Sequence, residues 1–288
     1  MQIAIVGAGT MGARVARAVA LYADQVVLHD SDDASMRRAL AGISRGLEQD
    51  VTRGTIDRSR ARRARRVFRL AETLEECAGA GIVIEAVKDD LALKHTLLHA
   101  LEEVIQDSTL IATTTQAHSI ASVAGAIHHP ERVIGLHFAG SAPSRQLVEV
   151  VRAPRTSADT LERVQSFLRA IGKTPLVVPD TPGQVLNRMA QTYIGEALQL
   201  LDDGGGLEFA TIDRLMEAAG FTQGPFRLTD LLGVDTVFTL SRAIFEATYH
   251  AAPYRPHIRL QQLVDAGRVG RDKPGFYDRP ALATPPEK

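Results

Sequence analysis

Short apolar runs alternate with amphipathic stretches along the first 180 residues of the chain. Runs of four to six apolar residues have the length of buried strands, and apolar residues spaced three and four apart between them are typical of packed helices. The runs lie at residues 2–6, 26–29, 67–70, 82–87, 109–113, 134–138, 147–151 and 175–178. This alternation predicts an α/β fold, a Rossmann-type doubly wound and mostly parallel sheet.

The pattern changes after residue 183, where the short apolar runs stop and only helical spacing remains. Helices are predicted at residues 185–201, 209–219, 228–248 and 257–266. We therefore predict two domains, an α/β domain over residues 1–183 and an all-helical domain over residues 184–288. The apolar face of the first of these helices is too extensive for a small domain to bury alone, which favours a homodimer formed through the helical part.

A glycine-rich turn directly follows the first predicted strand. Gly7, Gly9 and Gly12 form the pattern G-x-G-x-x-G between a strand and a helix, which is the context that dinucleotide binding requires. Gly7 permits the tight turn, Gly9 lets the backbone approach a pyrophosphate, and Gly12 lets the helix pack close to the strand. The helix start at Thr10 and Met11 then offers N–H groups to the phosphates. These residues are predicted to bind a dinucleotide; the alternative is a purely structural turn.

A carboxylate ends the second predicted strand. Asp30 comes 23 residues after Gly7, where a ribose-binding carboxylate belongs. It would accept hydrogen bonds from the ribose hydroxyls and repel a 2′-phosphate, so the sequence favours NAD over NADP. The carboxyl end of the strand at residues 82–87 is expected to face the same cofactor, because ligands bind beyond the carboxyl ends of parallel strands.

Two neighbouring apolar runs each carry one ionisable residue that a buried strand does not need. His137 lies in the run at residues 134–138, and Glu149 follows twelve residues later in the run at 147–151. A neutral histidine can take a proton, and a carboxylate on its far ring nitrogen can stabilise the imidazolium that forms. We interpret them as an acid–base pair, with His118 as a rival base. The alternative is a core histidine beside an unrelated carboxylate.

Composition narrows the classes of partner. The 33 Lys and Arg residues balance 34 Asp and Glu residues, a net charge of -1, so neither a nucleic acid nor a membrane is expected as a partner. No apolar stretch has the length of a membrane span, and the N-terminus does not resemble a signal peptide. We assign no metal ligands. Cys77 is the single cysteine, which excludes an intrachain disulfide and fits a cytoplasmic location. Six arginines between Arg58 and Arg66 form either a solvated basic helix or a patch for the phosphates of a carrier such as coenzyme A or a phosphopantetheine arm.

Motifs over nearly the whole chain resemble those of the L-3-hydroxyacyl-CoA dehydrogenase family, in its short bacterial 3-hydroxybutyryl-CoA dehydrogenase form. They are the turn at 7–12, Ile84-Glu85-Ala86-Val87, Gly135-Leu136-His137-Phe138, Leu147-Val148-Glu149-Val150-Val151, Asp180-Thr181-Pro182-Gly183 with Asn187-Arg188, Gly224-Pro225-Phe226, Asp230-Leu231, Gly233 and Gly275-Phe276-Tyr277. The spacing of His137 and Glu149 together with Asn187-Arg188 is the most specific part.

The resemblance implies roles for individual residues. His137 would remove the hydroxyl proton as a hydride passes to NAD, Glu149 would orient it, and Asn187 would hydrogen-bond the substrate oxygen. Glu85, with Ala86 and Val87, would lie near the nicotinamide ribose or the domain interface. The implied activity is NAD-dependent oxidation of a 3-hydroxyacyl thioester, carried on coenzyme A or on an acyl carrier protein, or the reverse reaction.

The chain departs from the family pattern around the expected acyl pocket. Gln116 stands where the family has a serine, and Gly140-Ser141 where it has asparagine and proline. These changes predict a substrate with an additional polar group. A second hypothesis is a dehydrogenase of a free hydroxy acid, with Arg145 binding its carboxylate. A third is a weakly active NAD-binding protein, against which the intact His137, Glu149 and Asn187 argue.

Overall fold

The computed structural model describes residues 1–116, 118–138, 147–203 and 205–278. Clustering of the contacts divides the chain into two compact units, Met1–Gln184 and Val185–Lys288. Among the described residues, no helix combines the length and the apolar character that crossing a membrane requires.

The first unit contains one sheet of eight strands, in the order β3-β2-β1-β4-β5-β6-β7-β8. The strands are β1 Gln2–Val6, β2 Gln25–His29, β3 Phe68–Ala71, β4 Ile82–Glu85, β5 Leu110–Thr113, β6 Val133–Phe138, β7 Leu147–Arg152 and β8 Thr174–Pro179. Every neighbouring pair is parallel except β6 with β7. The predicted Rossmann-type, mostly parallel sheet is therefore confirmed, and its strand order reverses between β1 and β4, the place where such folds bind ligands.

Helices cover both faces of this sheet. They are α1 Thr10–Ala20, α2 Asp33–Thr52, α3 Arg58–Arg66, α4 Leu91–Glu102, α5 Ile120–Ala124 and α6 Ala158–Ala170. Successive side chains of a strand point to opposite faces, so Ile3 and Ile5 of β1 pack with α1, α2 and α6, whereas Ala4 and Val6 belong to the core beneath α4 and α5. Two apolar cores result, one on each face.

The second unit is helical in its described part, as predicted. Its helices are α7 Leu186–Asp202, α8 Phe209–Ala218, α9 Pro225–Leu232, α10 Val234–Ala247 and α11 Ile258–Asp265. The single helix predicted over residues 228–248 is wrong, because Gly233 has a φ of +97° and separates α9 from α10. That backbone conformation favours glycine and cannot continue a helix.

Two buried carboxylates tie the ends of the helical unit together. Asp213 accepts hydrogen bonds from the amides of Phe226 and Arg227 at the start of α9 and from the hydroxyl of Tyr277. Asp230 accepts from the amides of residues 276 and 277. Burial raises the pKa of both carboxyls, against these hydrogen bonds, which lower it. The motifs at 224–226, 230 and 275–277 thus have a structural explanation.

Candidate functional site

The glycine turn joins β1 to α1 and lies against the end of β4. Gly7 has a φ of +105°, and a Cβ atom there would lie 2.5 Å from the backbone carbon of Ala86. A Cβ on Gly12 would overlap the carbonyl oxygen of Gly7. Around Gly9, by contrast, no heavy atom of the described chain beyond Gly9 and its chain neighbours lies within 4 Å of the Cβ position. The turn therefore packs tightly below and leaves open space beside Gly9 and the start of α1 at Thr10, which fits a pyrophosphate.

Asp30 lies beside this turn at the carboxyl end of β2. Its Oδ2 atom accepts a hydrogen bond of 2.7 Å from the amide of Ala8, and Oδ1 accepts one of 3.0 Å from the amide of Asp32. Each carboxylate oxygen has a second lone pair for a ribose hydroxyl. The fold thus brings together the turn at residues 7–12, which includes Met11, and the carboxylate that the sequence assigned to the ribose.

The Glu85 carboxylate points into the protein. It is fully buried and accepts hydrogen bonds from Lys94 Nζ at 2.9 and 3.0 Å, from the Val87 amide at 2.8 Å and from Thr113 Oγ1 at 2.6 Å. These bonds occupy its oxygens with protein donors. Of the predicted cofactor group at 85–87, it is therefore the backbone of Ala86 and Val87 that borders the glycine turn, and Glu85 anchors that backbone.

A second carboxylate, Asp89, holds the residues that follow β5. Thr115 Oγ1 donates to Oδ1 of Asp89 at 2.6 Å, and the Gln116 amide donates to Oδ2 at 3.0 Å. Lys94 Nζ lies 3.5 Å from Oδ1 of Asp89, so one buried ammonium is shared by two carboxylates. No motif of the sequence indicates a role for Asp89 or Lys94. The available signal was a lysine at an apolar-face position of α4, between Leu91 and Leu98.

His137 and Glu149 form a buried pair across β6 and β7. The antiparallel register sets them directly opposite each other, and His137 Nδ1 lies 2.7 Å from Glu149 Oε2. His137 is 8% exposed and Glu149 is fully buried. An ionised carboxylate only accepts, so Nδ1 carries the donated proton and the lone pair of the neutral ring lies on Nε2. This arrangement is that of a base with an orienting carboxylate.

The same face of the sheet carries this pair and the Gln116 region. His137 shares its face with Gly135, since residues two apart on a strand point the same way. A Cβ on Gly135 would lie 2.6 Å from Cδ1 of Ile120, the first residue of α5. Gln116 precedes α5 by a few residues, on the face that α4 and α5 cover. The pair and the β5–α5 connection are thus on one side of the sheet.

Two other candidate side chains have unpartnered polar atoms. His118 Nε2 is buried without a hydrogen-bond partner among the described residues, and no carboxylate in that part of the chain orients the ring. Of the two candidate bases, only His137 therefore has a carboxylate that orients its ring among the described residues. Asn187, the second residue of α7 in the other unit, has a buried Nδ2 atom that also lacks a partner within the described ranges. An unused amide donor fits a ligand-binding role.

The arginine-rich helix α3 lies at the sheet edge opposite the glycine turn. Arg60 lies over the ring of Tyr22, and Arg63 is 3.8 Å from Asp24, both in the α1–β2 connection at the amino end of β2. The exposed arginines at 58, 62 and 66 have no acidic partner in the described chain. Gly140, assigned to the acyl pocket, and Arg145, named for the carboxylate of a free hydroxy acid, lie outside the described residues. The described residues contain no group of three or more His, Cys, Asp or Glu side chains able to hold a metal.

Two models of known protein families match this chain, one over each unit. The model described as 3-hydroxyacyl-CoA dehydrogenase, NAD binding domain, matches residues 2–181. The model described as 3-hydroxyacyl-CoA dehydrogenase, C-terminal domain, matches residues 183–279. Together they account for nearly all of the described chain.

Individual relatives are similar to this chain over 96% of its length. The 3-hydroxyadipyl-CoA dehydrogenase of Escherichia coli K12 is 36% identical over 96% of this chain, which spans only 58% of that protein's own length. The 3-hydroxybutyryl-CoA dehydrogenase of Clostridioides difficile is 30% identical over 96% of this chain and 99% of its own. The crystal structure of M. tuberculosis FadB2 superposes with a TM-score of 0.91 at 30% identity, covering 96% of this chain and 98% of that one.

Proposed function

The chain belongs to the 3-hydroxyacyl-CoA dehydrogenase family and carries its NAD-dependent dehydrogenase domains, and we propose that it oxidises a 3-hydroxyacyl-CoA thioester, or catalyses the reverse reaction, with His137 as the base. The observation that carries the proposal is the 2.7 Å bond between His137 Nδ1 and Glu149 Oε2. In the neutral ring this bond leaves the lone pair on Nε2, which is what a group that takes a hydroxyl proton needs.

The chemical step needs one proton acceptor and one hydride acceptor. In the oxidation direction, the C3 hydroxyl gives its proton to Nε2 of His137 as a hydride leaves C3, and the C3–O bond becomes a carbonyl. When bound, NAD supplies the acceptor for that hydride. Glu149 stabilises the imidazolium that forms, because a full negative charge then lies next to a full positive charge in a buried site.

The remaining site residues would bind the cofactor and orient the substrate. Gly7, Gly9, Thr10, Met11 and Gly12 would hold the pyrophosphate by their backbone, and Asp30 would hold the adenosine ribose. Ala86 and Val87 would border the cofactor beside Gly7, supported by Glu85. The Gln116 side chain would donate a hydrogen bond to the substrate oxygen.

A substrate panel tests the activity. Purified protein is mixed with NAD and, separately, with 3-hydroxyacyl-CoA thioesters, the same acyl groups on an acyl carrier protein, and free hydroxy acids, while NADH formation is followed at 340 nm. We expect NADH to form with the CoA thioesters. Turnover of free hydroxy acids alone would support the alternative, a free hydroxy-acid dehydrogenase, and the absence of turnover with every substrate would contradict both.

The acyl group is proposed to carry an additional polar group. Gln116 extends further than the serine of the family pattern and keeps a donor, and Gly140 removes the family's asparagine side chain. A relative with 36% identity is named for 3-hydroxyadipyl-CoA, whose acyl chain ends in a carboxylate. We expect higher kcat/KM for 3-hydroxyadipyl-CoA than for 3-hydroxybutyryl-CoA, and the double change Gln116→Ser with Gly140→Asn is expected to reverse the order. Family-like efficiency of the unmutated enzyme on 3-hydroxybutyryl-CoA would contradict this.

The names of the relatives favour coenzyme A over a carrier protein as the carrier of the acyl group. The contacts of Arg60 and Arg63 place helix α3 at the amino edge of the sheet, whereas the cofactor turn and the His137 pair lie at the carboxyl edge. If a carrier protein is nevertheless the donor, the triple change Arg58→Gln, Arg62→Gln and Arg66→Gln lowers kcat/KM for the carrier-bound substrate alone. Equal activity of this variant on both forms supports free coenzyme A.

A homodimer formed through the helical unit is part of the same proposal. Met189 on α7 is 68% exposed, Leu215 on α8 is 61% exposed, and Phe221 after α8 is 51% exposed. Apolar side chains of this size gain free energy when a partner covers them. Sedimentation at micromolar concentration is expected to give the mass of a dimer, and a folded monomer would contradict it.

The cytoplasmic location, proposed because Cys77 is free and buried, is checked by cell fractionation.

A further inference from the structure

Three carboxylates hold the connection between β5 and α5, here called the Gln116 segment (residues 113–116 and 118–121). Glu85 accepts from the Thr113 hydroxyl. Asp89 accepts from the Thr115 hydroxyl and the Gln116 amide. At the other end, both oxygens of Asp180 accept from the amides of residues 120 and 121, each at 2.8 Å. The segment is thus fixed at its start, near its middle and at its end.

Asp89 has the most direct hold on Gln116. Its two oxygens bind adjacent residues, one through a side-chain hydroxyl and one through a backbone amide, so it fixes both the position of Thr115 and the start of Gln116. Aspartate is short, which limits the freedom of a group held at both oxygens. Lys94 Nζ lies 3.5 Å from Oδ1 of Asp89 and supplies the nearby positive charge. The same Nζ atom is held in place by its hydrogen bond to Glu85.

We propose that Asp89 is a positioning residue of the dehydrogenase reaction, which sets the backbone at Gln116 so that the Gln116 side chain reaches the substrate oxygen. This inference rests on the proposed function, in which Gln116 donates to that oxygen. Lys94 contributes indirectly, because its ammonium group balances the negative charges of Asp89 and Glu85. A displacement of about 1 Å at such a group costs up to about a hundredfold in rate, because the hydrogen bond to the reacting atom is lost.

The variant Asp89→Asn separates positioning from folding. The amide has the size of the carboxylate but only one acceptor oxygen. If its NH2 group replaces Oδ2, it faces the N–H donor of Gln116; if it replaces Oδ1, it can donate to the Thr115 hydroxyl but then faces the Lys94 ammonium. The matched control is Asp90→Asn, because Asp90 is the adjacent exposed aspartate and caps α4 through the Leu93 amide, a role in which asparagine serves equally well. A second pair is Thr115→Val, which removes the hydroxyl, and Thr115→Ser, which retains it.

Steady-state kinetics and NADH titration together give the readout. We expect Asp89→Asn and Thr115→Val to lower kcat/KM for the thioester about 10- to 100-fold, with the dissociation constant of NADH unchanged within about twofold. Asp90→Asn and Thr115→Ser should stay within about twofold of the unmutated protein in both. Because Asp89 and Thr115 act as one unit, the double variant should lose little more than either single one.

Amide hydrogen exchange gives a readout that does not depend on turnover. Asp89→Asn should increase exchange at the Gln116 amide and leave the core strand β4 unchanged. The proposal is overturned if kcat/KM of Asp89→Asn equals that of Asp90→Asn, or if NADH affinity and thermal stability fall in parallel with kcat/KM. An unmutated protein that turns over none of the thioesters contradicts the proposed function instead, and the exchange measurement then decides whether Asp89 still holds the segment.

Discussion

His137 Nδ1 and Glu149 Oε2 lie 2.7 Å apart because β6 and β7 pair antiparallel in an otherwise parallel sheet. Residues directly opposite each other in an antiparallel pair have neighbouring side chains on one face. A separation of twelve positions along the chain therefore suffices to bring the carboxylate back to the ring. No crossover helix is needed between these two strands.

Replacing Glu149 by glutamine should slow oxidation. Glutamine keeps the shape of the side chain but removes the negative charge that stabilises the imidazolium formed when His137 takes the hydroxyl proton. We expect kcat to fall while the dissociation constant of NADH stays unchanged. The measurement is steady-state NADH formation together with NADH titration, and an unchanged kcat would show that Glu149 does not act on the base.

Replacing Asp30 by alanine should relax the choice between NAD and NADP. The variant loses the acceptor for the ribose hydroxyls and the negative charge that repels a 2′-phosphate. A hydrogen bond to a charged group contributes about 1.5–3 kcal/mol, so kcat/KM for NAD should fall about 10- to 100-fold while that for NADP changes little or rises. The control is Asp33→Ala, at an exposed aspartate that begins α2. Equal or better use of NADP by the unmutated protein would contradict the assignment.

Replacing Lys94 by methionine should destabilise the first unit. The ammonium is 1% exposed and its removal leaves the buried carboxylate of Glu85 without its positive partner. Loss of one member of a buried ion pair costs about 3–5 kcal/mol. The double variant Lys94→Met with Glu85→Gln should recover part of that loss. Urea denaturation measures the free energy of unfolding, with exposed Lys88→Met as the control, and a change no larger than in that control would refute the pairing.

Cys77 should be unreactive in the folded protein. It is fully buried at the end of the short 3₁₀ helix Leu74–Cys77, and burial raises the pKa of its thiol to about 11. At pH 8 only about 0.1% of such a thiol is ionised, and the thiolate is the reactive form. A thiol reagent such as DTNB should label one thiol per chain in urea and almost none in native buffer. Rapid labelling of the native protein would contradict the burial.

The same shift in pKa predicts a pH dependence of stability. The folded chain holds the thiol proton more tightly than the unfolded chain, so this contribution is complete below the ordinary thiol pKa and is lost as the pH rises toward 11. The unfolding free energy should therefore fall less steeply between pH 8 and 10.5 in Cys77→Ala than in the unmutated protein.

The distribution of apolar residues was sufficient to predict the fold, because both the short apolar runs of the strands and the three-and-four spacing of the helices are pronounced. The apolar runs predicted each of the eight strands that the structure describes, and the glycine turn could be placed because Gly7 requires a positive φ at the end of β1. The break at Gly233 was missed because apolar spacing continues across it, and only the backbone conformation there ends α9.

Some features of the candidate site depend on contacts between residues distant in sequence. Glu85 was assigned to the cofactor region, but Lys94 and Thr113, on two other elements, take up its oxygens. The hold of Asp180 on α5 joins residues about 60 positions apart. No local pattern in the sequence reports such pairings, whereas the cross-strand pairing of His137 with Glu149 follows from two short neighbouring strands.

Single-turnover kinetics of His137→Gln tests the central claim most directly. Excess enzyme is mixed with NAD and a 3-hydroxyacyl-CoA in a stopped-flow instrument, and the NADH dissociation constant is measured separately. A general base contributes about 10²–10⁴ in rate, so we predict a loss of that size in the rate of NADH formation, with NADH binding unchanged. A rate within a few-fold of the unmutated protein would show that His137 is not the base and would contradict the account.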